Sequence, residues 1–204
     1  MNRGAALAWA YALLAAMATA AASRKQDSAA TFFADRDERL IAAQIAALPR
    51  QQPGVVDLYA IGVAGDGTQD VFRNEADYFA TLMARRFNAR GVLTLVSHAD
   101  SLGAKPKPLA TYDNLYDAVA GVARRMNRRE DILLLYLTMH GTAEHQLVLY
   151  FPPLVDDVLV PDDLARILDR AGIRNRVIVL SACYSGGFIP VSYTHLTLPT
   201  SDLV

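Results

Sequence analysis

The sequence predicts an α/β domain built on a mostly parallel sheet. Three observations predict it. Apolar runs of strand length alternate with segments whose apolar residues recur at helical spacing. Two of these runs, Ile132 to Leu137 and Val177 to Leu180, are unbroken, as strands covered on both faces are. Each is followed within a few residues by a chemically active side chain, His140 after one and Cys183 after the other. In such sheets sites gather beyond the carboxyl ends of the strands.

The elements follow in order. Arg3 precedes an uncharged, Ala- and Leu-rich run from Gly4 to Ala22, and Ala20-Ala21-Ala22 offers the small residues that signal peptidase accepts. Residues 1–22 are therefore expected to be a signal peptide or, uncleaved, a membrane anchor. The protein is expected to be exported: periplasmic, secreted or membrane-anchored. Thr31 to Leu48 reads as a helix. Phe33, Ile41, Ile45 and Leu48 fall near one face, and Pro49 and Pro53 close it. Residues 23–50 are read as a helical stem, with a first helix of the domain as the competing reading.

Val55 to Ile61 reads as the first strand and Gly62 to Gln69, which is Gly-rich, as a loop. Phe72, Ala76, Phe79 and Met83 carry a helix to about Asn88. Val92 to Val96 is a second strand, and Ser101 to Pro108 a loop holding Gly103, Pro106 and Pro108. Leu115, Val119, Val122 and Met126 mark a second amphipathic helix. Ile132 to Leu137 is the third strand. Leu147 to Phe151 is a short strand or hairpin arm stopped by Pro152-Pro153. Leu164, Ile167, Leu168 and Ala171 mark a third helix, with Asp162 as its expected N-cap and Gly172 as its stop. Val177 to Leu180 is the fourth main strand. Alternation of this kind implies right-handed βαβ units.

The last segment breaks the pattern. A helix should follow the Gly-rich turn after Cys183, and Val191-Ser192-Tyr193-Thr194-His195 is a poor start for one. Val191 to Thr200 instead resembles the translation of a transposon-based sequencing adapter. Residues 51–190 are thus expected to be an incomplete, C-terminally truncated domain and 191–204 a non-native tail. His195 is set aside, and little turnover is expected of the chain as it stands.

Composition bounds the function. The chain has 204 residues, 52% hydrophobic and 20% charged, enough for one domain with a real core. A net charge of -1 offers no basic surface for nucleic acid. Arg124-Arg125 and Arg128-Arg129 sit at one helix end, where they oppose the helix dipole. Cys183 is the only cysteine, so it has no disulfide partner in the chain, which an oxidising compartment tolerates.

Cysteine acts as the thiolate. Cys183 opens the turn Tyr184-Ser185-Gly186-Gly187, where small residues let a substrate backbone approach. His140 can move a proton near neutral pH, and the Gly141 N–H after it can face a developing oxyanion. Together they suggest a nucleophile, its proton shuttle and a donor for acyl transfer. A zinc site with His145 is the metal reading, but His-x4-His misses the one-turn helical pair. No metal or other cofactor is expected. Ser185 does not complete Gly-x-Ser-x-Gly, because Cys183 takes the place of the first glycine. Gly62, Gly65 and Gly67 match neither nucleotide-binding fingerprint.

At these residues the chain resembles the legumain-like cysteine peptidases of clan CD, in a bacterial-type form, within the larger group that includes caspases. The likeness runs from about Val55 to Ile189 and rests on an apolar strand ending His-Gly and another ending Ala-Cys-x-Ser-Gly. Caspases place their histidine about 50 residues before the cysteine; here the separation is 43. The resemblance implies a caspase-like three-layer α/β sandwich. It implies a His140–Cys183 dyad, with Gly141 at the oxyanion. Phe72 to Asp77 is similar to the segment that supplies a pocket arginine, which puts Arg73 against the residue before the scissile bond. Ser181 stands in the substrate pocket where legumain has an acidic residue. The asparagine that orients the histidine would fall near Val71, so Asp70 or Asn74 is expected in its place. The implied function is a cysteine-type endopeptidase acting on peptides or proteins, cleaving after Asn or Asp. A transpeptidase or transamidase using the same dyad, and a non-catalytic binding domain of the same fold, are the alternatives.

Overall fold

The computed structural model describes residues 31–191. The expected signal or anchor segment lies outside the described residues, as does the expected tail beyond Val191. Among the described residues no helix is long and apolar enough to cross a membrane.

The chain divides into two compact units, residues 1–36 and 37–204. Helix α1 covers residues 31–47. In the first unit the Phe32 and Phe33 rings meet edge to face at 5.3 Å, and the Arg36 guanidinium lies 5.5 Å from the Phe33 ring. The second unit begins at Asp37, not at residue 51, and takes in much of the expected stem. Ile41 in α1 and Leu48 just after it are buried in its main core, which is why that part of the expected stem belongs to the domain.

Four parallel strands form the central sheet: β1 (Leu58–Ala64), β2 (Gly91–Val96), β3 (Ile132–Thr138) and β6 (Asn175–Ser181). Their order is β2-β1-β3-β6. Ile61 pairs with Leu93 on one side and Leu135 on the other. Side chains alternate across a sheet, so these residues share a face. With Tyr59, Val63, Leu95, Leu133 and Leu137 they enter the main core. Helices α3 (Tyr112–Ala123) and α4 (Pro161–Ala171) contribute Leu115, Val119, Leu164, Ile167 and Leu168 to it. Each such side chain, fully buried, contributes about 2 kcal/mol before entropy is charged against it. Helix α2 (Asp70–Arg85) packs on the opposite face through Phe72, Ala76, Phe79 and Met83, against β1, β2 and β3. The result is three layers, helix, sheet and helices, consistent with the caspase-like sandwich the sequence implied. A separate antiparallel hairpin joins β4 (Leu147–Phe151) to β5 (Val155–Leu159).

Several boundaries differ from the sequence reading. β1 starts at Leu58, three residues late, because Val55 and Val56 are exposed after a turn at Gly54, whose φ is +79°. It also absorbs Gly62, read as loop. A Cβ there would come 3.0 Å from the Phe79 ring, so the glycine is a close-packing position under α2. α3 ends at Ala123, and Met126 is buried beyond it. α4 starts at Pro161, with Val160 rather than Asp162 at the cap position. Proline is pre-shaped for the first helical position, and Asp162 and Asp163 then face the helix dipole from the first turn. Gly172 ends α4 as expected, with φ 66°.

β6 corrects a further expectation. Val177 and Val179 are exposed, although an unbroken apolar run predicts cover on both faces. β6 is an edge strand of the four, and α2 lies over the other three.

Candidate active site

Strand register assembles the site. Thr138, the last residue of β3, pairs with Ser181, the last of β6. Two residues beyond each come His140 and Cys183. The 43-residue spacing seen in the sequence is the pairing offset of these two strands. Met139 N–H continues the ladder to Ser181 O at 3.3 Å. Parallel neighbours lie roughly 4.8 Å apart, so the two chain segments leave the sheet side by side. Both His140 and Cys183 are exposed, and Cys183 is a free thiol.

Gly141 touches the cysteine backbone. A Cβ on it would lie 2.0 Å from Cys183 O. Its N–H has a defined direction. Gly141 bridges Leu147 antiparallel, and the flanking bonds run from Val148 N–H to His140 O and from Thr142 N–H to Gln146 O. In such a pair the central N–H groups point away from the partner strand. The Gly141 donor therefore faces away from β4.

The ring of His140 is held by two neighbours. Phe72 meets it edge to face, with centroids 5.0 Å apart. The Gln69 side-chain amide lies 2.9 Å from its Nε2. Sequence reasoning missed Gln69: a glutamine at the end of a Gly-rich loop carries no signal of its own. The expected substitutes do other things. Asp70 accepts from His98 Nε2 at 2.9 Å, Val71 is exposed, and Asn74 is exposed.

Arg73 sits among carboxylates. Its guanidinium is 3.2 Å from Asp100 and 3.8 Å from Asp70. Its Nε is buried without a hydrogen-bond partner among the described residues. His98 Nδ1 accepts from the Asp100 N–H at 3.1 Å, which leaves the ring proton on Nε2, facing Asp70.

Under the strand ends lies a polar layer. Glu75 Oε2 accepts from Tyr136 OH at 2.9 Å and from Thr138 Oγ1. Burial, and then the bond to Glu75, push the Tyr136 phenol up, so it remains a donor. Ser181 lies beside this layer through its pairing with Thr138. The glycine loop of residues 65–67 packs against Met139 and Phe151. A Cβ on Gly65 would strike Met139 Sδ at 2.7 Å, and one on Gly67 would strike Phe151 at 2.5 Å. These glycines serve packing.

His145 is exposed, as expected of a residue in the turn before the hairpin, but its ring is engaged. Nδ1 lies 2.8 Å from Tyr184 O. Among the described residues no group of three His, Cys, Asp or Glu side chains is placed to hold a metal ion.

Residues 119–200 match the model of the Peptidase C13 family, the legumain family of clan CD. No curated protein matches the chain.

Proposed function

We propose, from the Peptidase C13 match over residues 119–200, that this chain is a cysteine-type endopeptidase acting on peptides or proteins through His140 and Cys183. One observation carries the dyad: the two residues stand two places beyond the paired strand ends Thr138 and Ser181. Cys183 attacks the peptide carbonyl as its thiolate. His140 takes the thiol proton and delivers it to the leaving amine. The Gly141 N–H donates to the tetrahedral oxyanion, a bond worth roughly 3 kcal/mol in such sites. Water then releases the acyl group. Gln69 meets the imidazole at Nε2; with its amide oxygen turned to accept from Nε2–H, Nδ1 is left to take the thiol proton.

Arg73 binds the side chain of the residue before the scissile bond. Asp70 and Asp100 beside it outnumber its single positive charge. A neutral Asn side chain therefore suits this pocket better than Asp. The apolar segment of residues 4–22 supports export, which cell fractionation tests.

The test is labelling of the full-length protein by a peptidyl acyloxymethyl ketone, read by intact mass. Cys183 takes up the probe, Cys183→Ala takes up none, and His140→Ala reacts slowly. A folded protein whose Cys183 stays unlabelled is a binding domain instead.

A further inference from the structure

His145 is a second imidazole at this end of the sheet, and the proposed acyl transfer gives it no step. We infer that His145 is a positioning residue that clamps the turn carrying the nucleophile; the inference rests on the cysteine-peptidase reading of that turn.

Three contacts carry it. Tyr184, directly after Cys183, has φ 53°. That left-handed conformation is costly for a tyrosine and persists only where surroundings hold it. The Tyr184 side chain is 60% exposed, so it packs too little to do so. Its carbonyl is held instead, 2.8 Å from His145 Nδ1. A carbonyl only accepts, so Nδ1 carries the proton.

The second contact is at Gly187. A Cβ there would lie 2.4 Å from both Cβ and Cγ of His145. The imidazole thus occupies the space beside the turn, and Gly187 leaves room for it.

The third concerns the loop that bears His145. It is tight: Thr142 N–H bonds Gln146 O at 2.9 Å, and His145 N–H bonds Thr142 O at 3.0 Å. His145 itself has φ 59°. The same loop begins at Gly141, against the Cys183 carbonyl. One loop therefore grips the backbone on both sides of the sulfur, through Gly141 at Cys183 and through His145 at Tyr184 and Gly187. Displacing a nucleophile by about 1 Å can cost a hundredfold in rate. The clamp fixes the thiol against the Gly141 donor and His140.

The experiment has two arms. The first is structural and needs no activity. Imidazole nitrogen NMR of the chain should show His145 protonated on Nδ1. A neutral ring protonated on Nε2 alone overturns the clamp, whatever the protein catalyses. The second reads inactivation of the full-length protein by the peptidyl acyloxymethyl ketone. His145→Ala should lower the maximal inactivation rate at least about tenfold with the probe's half-saturation unchanged. His145→Asn should stay within about threefold of wild type, because its amide can donate to Tyr184 O and asparagine tolerates positive φ. Gly187→Ala should be impaired beside His145 and should add little further loss in a His145→Gly background, which removes the Cβ 2.4 Å away, a non-additive pair. Alanine as fast as wild type, asparagine as slow as alanine, or additive effects with Gly187→Ala each overturn the proposal. If wild type fails to label, the peptidase reading fails, while the NMR arm still decides the clamp.

Discussion

The carbonyl oxygen of Cys183 occupies the place a side chain on residue 141 would need, 2.0 Å from an ideal Cβ. The obstacle is backbone, not the flexible end of a side chain. Gly141→Ala must therefore push the two strand extensions apart. Overpacking of this kind costs about 1–3 kcal/mol. We expect that loss in urea unfolding, together with at least a hundredfold slower probe labelling, since the displaced groups are the proposed donor and nucleophile. Wild-type labelling by this variant would detach Gly141 from the chemistry.

Gln69 is 2.9 Å from His140 Nε2. Gln69→Ala frees the ring to rotate, and the labelling rate should fall about tenfold. Gln69 is exposed, so the melting temperature should move little. A rate unchanged within twofold removes Gln69 from the site.

Glu75 ties α2 to β3 by accepting from Tyr136 and Thr138. Glu75→Ala strands two hydroxyls at the sheet face, at a cost of about 1–3 kcal/mol in unfolding free energy. Tyr136→Phe in that background should be less damaging than alone, because its partner is already gone. Additive losses would mean that the pair is not coupled.

Tyr59 predicts alkaline behaviour. Its phenol is pushed up to about 12, by burial first and then by the Asp57 and Asp131 carboxylates. The unfolded value is about 10. A raised pKa favours the neutral form in the fold, so this stability is intact below pH ~10 and lost as pH rises towards ~12, about 2 kcal/mol in all. Tyr59 OH also donates to Pro49 O at 2.9 Å and faces Arg125 O at 3.3 Å. Tyr59→Phe should cost about 1–2 kcal/mol at pH 7 and flatten the decline above pH ~10. Parallel stability curves for the two proteins would refute the assignment.

For Arg73, the substrate panel is a pair of peptides differing only in Asn or Asp before the scissile bond. Wild type should favour Asn by about tenfold or more, and Arg73→Ala should raise KM for both. Preference for Asp would show that Asp70 and Asp100 do not face the pocket.

The α/β layers were legible because they follow from periodicity, and the placement of His140 and Cys183 beyond strand ends follows from where the apolar runs stop. The match between a 43-residue spacing and the β3–β6 register shows why: pairing in a parallel sheet converts sequence offset into proximity. Gln69 and His145 were not legible in these roles. Their contacts arise from long-range backbone placement, across 71 and 39 residues, which no local pattern encodes. The glycine loop was legible only as a loop, since the Met139 and Phe151 atoms that demand glycine come from distant strands. The exposed face of β6 was misread because apolar composition states what a strand could bury, not what lies over it.

The central claim is that His140 takes the proton of Cys183. The most direct measurement compares two electrophiles on wild type and His140→Ala: the peptidyl acyloxymethyl ketone, and iodoacetamide as a small thiol reagent. The account predicts that His140→Ala slows the peptidyl probe at least a hundredfold at pH 7 and that raising the pH recovers much of the rate. Equal rates for wild type and His140→Ala with both reagents across the pH range would contradict it.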